Sequence, residues 1–183
     1  MNPSPNLFLI GPMGAGKSSI GRRLAERFGL PCIDLDAEIE RRTGASVSTI
    51  FEIEGESGFR RRESDLLAEF TARVGIVLAT GGGAALAPAN RTLLRERGFV
   101  LWLQASVEQQ LQRLARDRKR PLLDAPDRRE RLEQLALKRD PVYAELADCN
   151  AGSADESCEH AATRIATLLE KQWQRTPTVK ESA

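Results

Sequence analysis

The sequence predicts a three-layer α/β domain built around a parallel β-sheet. Short apolar segments alternate with longer segments whose apolar residues recur every three to four positions, as in buried strands alternating with amphipathic helices. A glycine-rich loop joins the first apolar segment, Leu7–Ile10, to the first helical segment. The chain has 183 residues, of which 41% are hydrophobic and 29% are charged, and this profile fits a globular domain.

The elements follow from apolar spacing and from helix start and stop signals. Strands are predicted at Leu7–Ile10, Cys32–Leu35, Ile76–Ala79, Phe99–Leu103 and Cys149–Ala151. Helices are predicted at Lys17–Phe28, Ala37–Arg42, Ser48–Glu54, Phe59–Val74, Asn90–Arg97, Ser106–Arg120, Asp127–Arg139 and Ser157–Trp173. No repeat or linker divides the chain, so residues 1–174 are expected to form one domain, followed by a disordered tail at 175–183.

The loop Gly11–Ser18 reads GPMGAGKS and matches the pattern G-x-x-x-x-G-K-[ST] at every fixed position. Glycines let successive backbone N–H groups point at a phosphate, and the following helix adds the positive end of its dipole. Lys17 is expected to reach the β- and γ-phosphates of a nucleoside triphosphate, and the Ser18 hydroxyl to ligate Mg²⁺. A glycine-rich turn that matches by chance is the alternative, and the flanking strand and helix favour the functional interpretation.

The loop motif alone does not separate a kinase from a molecular switch or a motor. A GTPase would carry N-K-x-D and D-x-x-G segments, and the sequence contains neither. A motor or transporter ATPase would show an apolar strand that ends in an Asp-Glu pair, and no predicted strand does so. These absences from the sequence favour a small-molecule kinase.

Further polar and glycine segments follow strands at the sheet edge where ligands of parallel sheets bind. Asp34 and Asp36 face the same way if the segment is extended, so one could support Mg²⁺ and the other accept a proton from an attacking hydroxyl. The alternative for Asp36 is a helix cap. Gly81–Gly83 could bring backbone N–H groups close to a ligand or form a flexible turn. Arg60 could bind a carboxylate through its planar fork or be a solvated surface residue.

With these motifs in order, the chain resembles the shikimate kinases from Leu7 to about Trp173. Six motifs carry the resemblance: Gly11–Ser18, DLD at Asp34–Asp36, FRRRE at Phe59–Glu63, TGGG at Thr80–Gly83, RPLL at Arg120–Leu123 and RDPVY at Arg139–Tyr143. The resemblance implies a P-loop kinase fold of the nucleoside-monophosphate-kinase type, with a five-stranded parallel sheet and a mobile lid at about residues 113–126. It also implies transfer of the γ-phosphate of ATP to the 3-hydroxyl of shikimate, with Mg²⁺ as cofactor.

The resemblance assigns roles to individual residues. The catalytic residues it implies are Lys17, Asp36 and Arg120. ATP binding is implied for Gly14, Ala15, Gly16, Lys17, Ser18, Ser19, Arg116 and Arg120, and the Mg²⁺ ligands for Ser18 and Asp34. Shikimate binding is implied for Asp36, Arg60, Gly81, Gly82, Gly83 and Arg139. Residues 150–155, NAGSAD, depart from the family pattern because they lack an arginine where members often carry a basic or polar segment against adenine.

Composition and charge narrow the alternatives. With 27 Lys and Arg against 26 Asp and Glu, the formal net charge of +1 argues against a dedicated nucleic-acid binder. The arginine-rich stretch from Arg113 to Arg131 could be a nucleic-acid footprint, but it is interrupted by aspartates and has no aromatic residue for base stacking. Other acceptors, such as gluconate or a nucleoside monophosphate, and a catalytically silent P-loop protein stay open.

The three cysteines are scattered without metal-ligand spacing, which indicates reduced thiols. No signal sequence or membrane span is predicted. We therefore expect a cytoplasmic protein, acting as a monomer, with ATP and shikimate as its partners and no bound nucleic acid or membrane.

Overall fold

A parallel sheet separates two layers of helices in the computed structural model, which describes residues 3–115, 127–152 and 156–175. The strands are β1 Leu7–Ile10, β2 Cys32–Asp34, β3 Val77–Ala79, β4 Phe99–Leu103 and β5 Cys149–Ala151. The helices are α1 Lys17–Phe28, α2 Leu35–Thr43, α3 Val47–Thr71, α4 Pro88–Arg97, α5 Val107–Leu114, α6 Arg128–Leu146 and α7 Cys158–Gln172, with a 3₁₀ turn at Ala84–Leu86.

The sheet has the order β2-β3-β1-β4-β5, and all of its strand pairs are parallel. This confirms the predicted five-stranded parallel sheet. The central strand is β1, in which Leu7 lies opposite Val77 on one side and Phe99 on the other. The loop that follows β1 therefore lies at the middle of the carboxyl edge. The ends of β2 and β3 flank it on one side (the β2–β3 side), and those of β4 and β5 on the other (the β4–β5 side).

The alternation of side chains along β1 creates two cores, one on each face of the sheet. Phe8 and Ile10 belong to the core that includes Leu67 on α3, whereas Leu7 and Leu9 belong to the core that includes Leu169 on α7. All four side chains of β1 are fully buried. A strand that is buried on both faces must be apolar at every position, which explains the uninterrupted apolar segment in the sequence.

Two predicted boundaries are wrong near β2 and α3. Helix α2 begins at Leu35 rather than Ala37, because the Asp34 side chain accepts a hydrogen bond from the backbone N–H of Ala37 at 3.1 Å and caps the helix. The two helices predicted at 48–54 and 59–74 form a single element interrupted at Gly55, where φ is 69° and ψ is 179°. Val74, predicted on the apolar face, lies beyond the end of α3 and is 63% exposed.

Two further helix boundaries, the start of α4 and the end of α6, differ from the prediction at a proline. Helix α4 begins at Pro88 rather than Asn90, because proline at the first helical position lacks only an N–H that would have no intrahelical partner. Helix α6 passes through Pro141 to Leu146 instead of ending at Arg139, since Tyr143 and Leu146 are buried in the core and favour continuation.

Most of the predicted lid region and tail lies outside the residues that the structure describes. Helix α5 ends at Leu114, and residues 116–126, which include Arg116 and Arg120, lie outside the described residues. At the start of the predicted tail, Arg175 donates a hydrogen bond to the Phe28 carbonyl at 2.7 Å, and residues 176–183 lie outside the described residues. Within the described ranges, no helix has an 18-residue stretch apolar enough to cross a bilayer.

Candidate active site

The loop Gly11–Ser18 (the P-loop) folds as its glycine pattern predicts. Gly11, Gly14 and Gly16 have φ angles of 137°, 75° and 90°, which side chains rarely tolerate. A Cβ on Gly11 would also collide with the backbone oxygen of Leu103. The Lys17 ammonium donates to the carbonyls of Gly11 and Pro12, both at 2.8 Å, so it folds back over the loop. The N-cap of helix α1 is Gly16, which has no side chain to bond the first backbone N–H groups of the helix.

The end of β2 brings a carboxylate to the P-loop. The Ser18 hydroxyl donates to Oδ2 of Asp34, while Oδ1 of Asp34 caps α2. The chain turns into α2 directly after Asp34, so the expectation that Asp34 and Asp36 project alike from an extended segment is wrong. Asp34, not Asp36, caps the helix, and the alternative considered for Asp36 is therefore wrong as well. Asp36 lies in the first turn of α2, with Oδ1 3.0 Å from the position that a Cβ on Gly81 would take.

The three glycines after β3 (the glycine wall, Gly81–Gly83) each lie against a charged side chain. A Cβ on Gly81 would collide with Glu63 Oε1, and a Cβ on Gly83 would collide with the guanidinium of Arg60. A Cβ on Gly82 would lie 3.2 Å from Arg139 Nη1. The absence of side chains therefore lets two arginines and two carboxylates, those of Glu63 and Asp36, approach one stretch of backbone. The fold thus brings together the predicted residues Asp36, Arg60, Arg139 and the glycine wall.

Glu63 is a further member of this group, which the sequence interpretation quoted within the FRRRE motif without a role. Its side chain is fully buried and accepts a hydrogen bond from Arg60 Nη1 at 2.6 Å, while Arg60 Nη2 reaches Glu56 at 3.2 Å. Burial raises the pKa of Glu63 from its ordinary value, and the Arg60 guanidinium works in the opposite direction. The signal was available, because Glu63 follows Arg60 by three residues on a helix and therefore shares its face.

Arg139 and Tyr143 project from α6 toward the same wall. Arg139 is 3% exposed, and burial lowers the pKa of its guanidinium. Tyr143, one helical turn later, is buried and donates its hydroxyl to the Gly82 carbonyl. Burial raises the pKa of Tyr143 to about 12, so the phenol stays protonated and remains a donor at neutral pH. The sequence interpretation quoted Tyr143 within a motif but gave it no role.

A cavity of about 200 Å³ opens beside the P-loop on the β4–β5 side. Its lining residues from the P-loop and α1 include Ala15, Gly16 and Ser19. The opposite walls include Gln104 after β4, Arg113 on α5 and Gly152 after β5. They also include Glu156, just before α7, and Arg164 on α7. Arg113 donates to the Gly14 carbonyl at 3.0 Å and so ties α5 to the P-loop. Of the residues predicted to bind ATP, Ala15, Gly16 and Ser19 line this cavity. Gly14, Lys17 and Ser18 belong to the adjoining P-loop, and Arg116 and Arg120 lie outside the described residues.

Comparison with known proteins agrees with this arrangement. A model of the shikimate kinase family matches residues 13–170. The chain belongs to the shikimate kinase family. A shikimate kinase of Stenotrophomonas maltophilia (strain K279a) is 53% identical over 175 residues, covering 96% of this chain and 97% of the relative. One from Methylococcus capsulatus is 52% identical over 170 residues, covering 93% and 95%.

A solved shikimate kinase extends the likeness to three dimensions. The enzyme of Acinetobacter baumannii, in complex with shikimate, superposes with a TM-score of 0.89 at 46% identity, covering 93% of this chain and 95% of that one. The family resemblance and the P-loop kinase fold predicted from the six motifs are thereby confirmed.

Proposed function

We propose that this member of the shikimate kinase family transfers the γ-phosphate of ATP to the 3-hydroxyl of shikimate. The observation that carries the proposal is the position of the P-loop at the central strand, between a group of buried charges on the β2–β3 side and a cavity on the β4–β5 side. A phosphoryl donor on one side and a hydroxylated acid on the other would then meet at the end of β1.

The β2–β3 side suits a carboxylate that also bears hydroxyl groups. Arg60 and Arg139 lie against neighbouring glycines of the wall, and planar guanidinium groups bind carboxylates in a bidentate manner. Asp36 lies at the other end of the wall, where its carboxylate would orient the attacking hydroxyl or accept its proton. Because these groups are largely withdrawn from water, their interactions with a charged acceptor are stronger than at an exposed surface.

The donor would be held by the P-loop. Gly14–Ser19 would surround the phosphates with backbone N–H groups, and Lys17 would turn from the loop carbonyls to the β- and γ-phosphates. Ser18 and Asp34 offer the hard oxygen ligands that Mg²⁺ prefers, and their direct hydrogen bond places the two together. When bound, Mg²⁺ would neutralise charge on the transferring phosphate. The roles proposed for Arg116 and Arg120, and a lid at about 113–126, rest on the family resemblance.

The proposal also includes a single domain, a monomer and a cytoplasmic location, with no nucleic acid or membrane as partner. All three cysteines, Cys32, Cys149 and Cys158, are free thiols, which supports a reducing compartment.

The experiment is release of ADP from MgATP in the presence of shikimate, gluconate, a nucleoside monophosphate or no acceptor. We expect release with shikimate alone and loss of release when Mg²⁺ is chelated. Release with a different acceptor would reassign Arg60, Arg139 and the glycine wall while leaving the P-loop chemistry. Binding of ATP without release for any acceptor would favour a silent nucleotide-binding protein.

A further inference from the structure

An arginine on α7 contacts the residue that follows β5 and the residue that lies two positions before α7. Arg164 donates from Nε and Nη2 to Glu156 Oε1, at 3.1 and 2.6 Å, and from Nη2 to the Gly152 carbonyl at 2.9 Å. One guanidinium therefore joins the end of β5, the residues just before α7 and α7 itself. The planar fork makes this possible, because it presents several donors in fixed directions.

The same three residues line the cavity beside the P-loop. The phosphates belong at the P-loop, and the acceptor charges lie on the β2–β3 side. The cavity on the opposite side is consequently the space left for the part of the nucleotide that extends away from the phosphates. Its lining from Leu103, Ala151 and Ile165 is apolar, as a purine requires.

The sequence between β5 and α7 makes Arg164 important as a cation near the cavity. Residues 150–155 contain no lysine or arginine, so this segment itself supplies no cation. Among the described residues that line the cavity, the cations are Arg113 and Arg164. Arg113 holds the P-loop wall through Gly14, and Arg164 holds the β5 wall through Gly152. The two arginines thus fix opposite walls of one cavity.

A surface ion pair elsewhere on α7 shows how Arg164 differs. Arg27 pairs with Glu170 at 2.9 Å, but both side chains are about half exposed and neither lines the cavity. Arg164 is 43% exposed, but its partner Glu156 is only 19% exposed, and Arg164 also bonds a backbone carbonyl. A carbonyl contact fixes the course of the backbone, whereas a pair of exposed side chains contributes little.

We propose that Arg164 is a positioning residue for the nucleotide base: it holds Gly152 and Glu156 so that the cavity wall is formed before the purine enters. The inference rests on the proposed function in that the ligand is an adenine nucleotide. A wall that is already ordered lowers the entropy lost on binding, so the clamp contributes to affinity without a role in the chemical step.

The test is calorimetric titration of MgADP and of inorganic tripolyphosphate, a probe that has phosphates but no base. The variants are R164A, R164K and E156Q, with R27A as the matched control on a neighbouring ion pair. We expect R164A and R164K to weaken MgADP binding by about fivefold or more, since lysine cannot reproduce the fork, and E156Q to act in the same direction. Tripolyphosphate binding should stay within about twofold of the unmodified protein for every variant, and MgADP binding should do so for R27A.

Unchanged MgADP affinity in R164A, full rescue by R164K, or an equal loss of tripolyphosphate binding would each overturn the proposal. Steady-state kinetics supply a second readout, in which the KM for ATP should rise while kcat and the KM for shikimate do not. The titration needs no acceptor, so it tests Arg164 even if shikimate proves not to be the substrate. E156Q keeps the test informative if R164A fails to fold.

Discussion

The two sides of the P-loop differ in how their charged residues meet water. On the β2–β3 side the Glu63 side chain is fully buried, Arg139 is 3% exposed and Tyr143 is 1% exposed. On the β4–β5 side the side chains of Arg164 and Glu156 are 43% and 19% exposed. A buried charge that loses its partner is strongly destabilising, whereas an exposed one is re-solvated at small cost.

This difference indicates how the two ligands are selected. In the proposed function the buried side binds the acid and its hydroxyl groups, and a buried charge there is costly to leave without a partner. The more exposed side would hold the base through shape and through the contacts of Arg164, so single substitutions there should have smaller effects. Five predictions follow from this contrast, beginning with the largest expected effect.

Replacing Asp36 by Asn should cause the largest loss of activity among the substitutions on the β2–β3 side. We expect kcat to fall by about 100-fold or more, because the amide cannot accept the proton of the attacking hydroxyl. ADP release in the presence of shikimate measures the change, and Asp65→Asn, an exposed aspartate on α3, serves as the control. Near-normal turnover of Asp36→Asn would show that this carboxylate is not the base.

Replacing Arg60 by Ala should raise the KM for shikimate by about 30-fold, equivalent to about 2 kcal/mol, through loss of a charge-assisted pair. The KM for ATP should change little. Arg62→Ala is the matched control, because Arg62 lies on the same helix and pairs with Glu54 at 2.7 Å. An unchanged KM for shikimate would remove Arg60 from the binding site.

Arg60→Ala also leaves the buried Glu63 without its partner. We therefore expect a lower Tm, and the double variant with Glu63→Gln should recover part of that Tm without recovering shikimate affinity. Recovery of both quantities would mean that Arg60 acts on stability alone.

One methyl group placed on each side of the P-loop sharpens the comparison. Gly83→Ala should raise the KM for shikimate by about tenfold, because the new Cβ collides with the Arg60 guanidinium although the backbone, at φ −105° and ψ −6°, accepts alanine. Gly152→Ala should leave the KM for ATP within about twofold, since among the described residues its Cβ would meet only Gln104 Oε1, at 3.7 Å. Equal effects of the two variants would contradict the contrast between the sides.

The smallest effect concerns Tyr143 at high pH. Its pKa is raised from 10.0 to about 12 by burial, so the folded state holds the proton more tightly than the unfolded chain. This contribution to stability is complete below pH 10 and is lost as pH rises from 10 to about 12.

Tyr143 is the only tyrosine of the chain, so the ultraviolet absorbance of tyrosinate follows it alone. The ionisation midpoint should lie near pH 12 in the folded protein and near 10 in urea. A midpoint near 10 in the folded protein would show that the hydroxyl is not held in the buried group, and Tyr143→Phe should abolish the signal.

The sheet and the P-loop could be predicted because both are encoded locally. A buried central strand must be apolar at each position, and Gly11–Ser18 has a fixed spacing that the following helix requires. The helix boundaries near Asp34 and Pro141 were wrong because capping by a side chain and burial of later residues depend on what the segment meets in the fold.

The contacts within the site were beyond local reasoning. Glu63 lies against Gly81, and Arg164 against Gly152, and each of these pairings joins separate elements. The family resemblance implied that Arg60 and Gly83 belong to one site, but not that the missing side chain at Gly83 makes room for the guanidinium. The reason for a glycine becomes visible only in the structure, where a neighbouring side chain occupies the space that a Cβ would take.

The glycine wall limits how the acceptor preference of this protein can evolve. A wall made of backbone presents no side chain to be exchanged, and at Gly81 and Gly83 even the smallest addition collides with a charged group. New acceptors must therefore be accommodated by changes on the facing helices, α2, α3 and α6, which carry Asp36, Arg60 and Arg139. The donor site, on the other side of β1, is left undisturbed by such changes, so the acceptor can diversify while the phosphoryl donor stays the same.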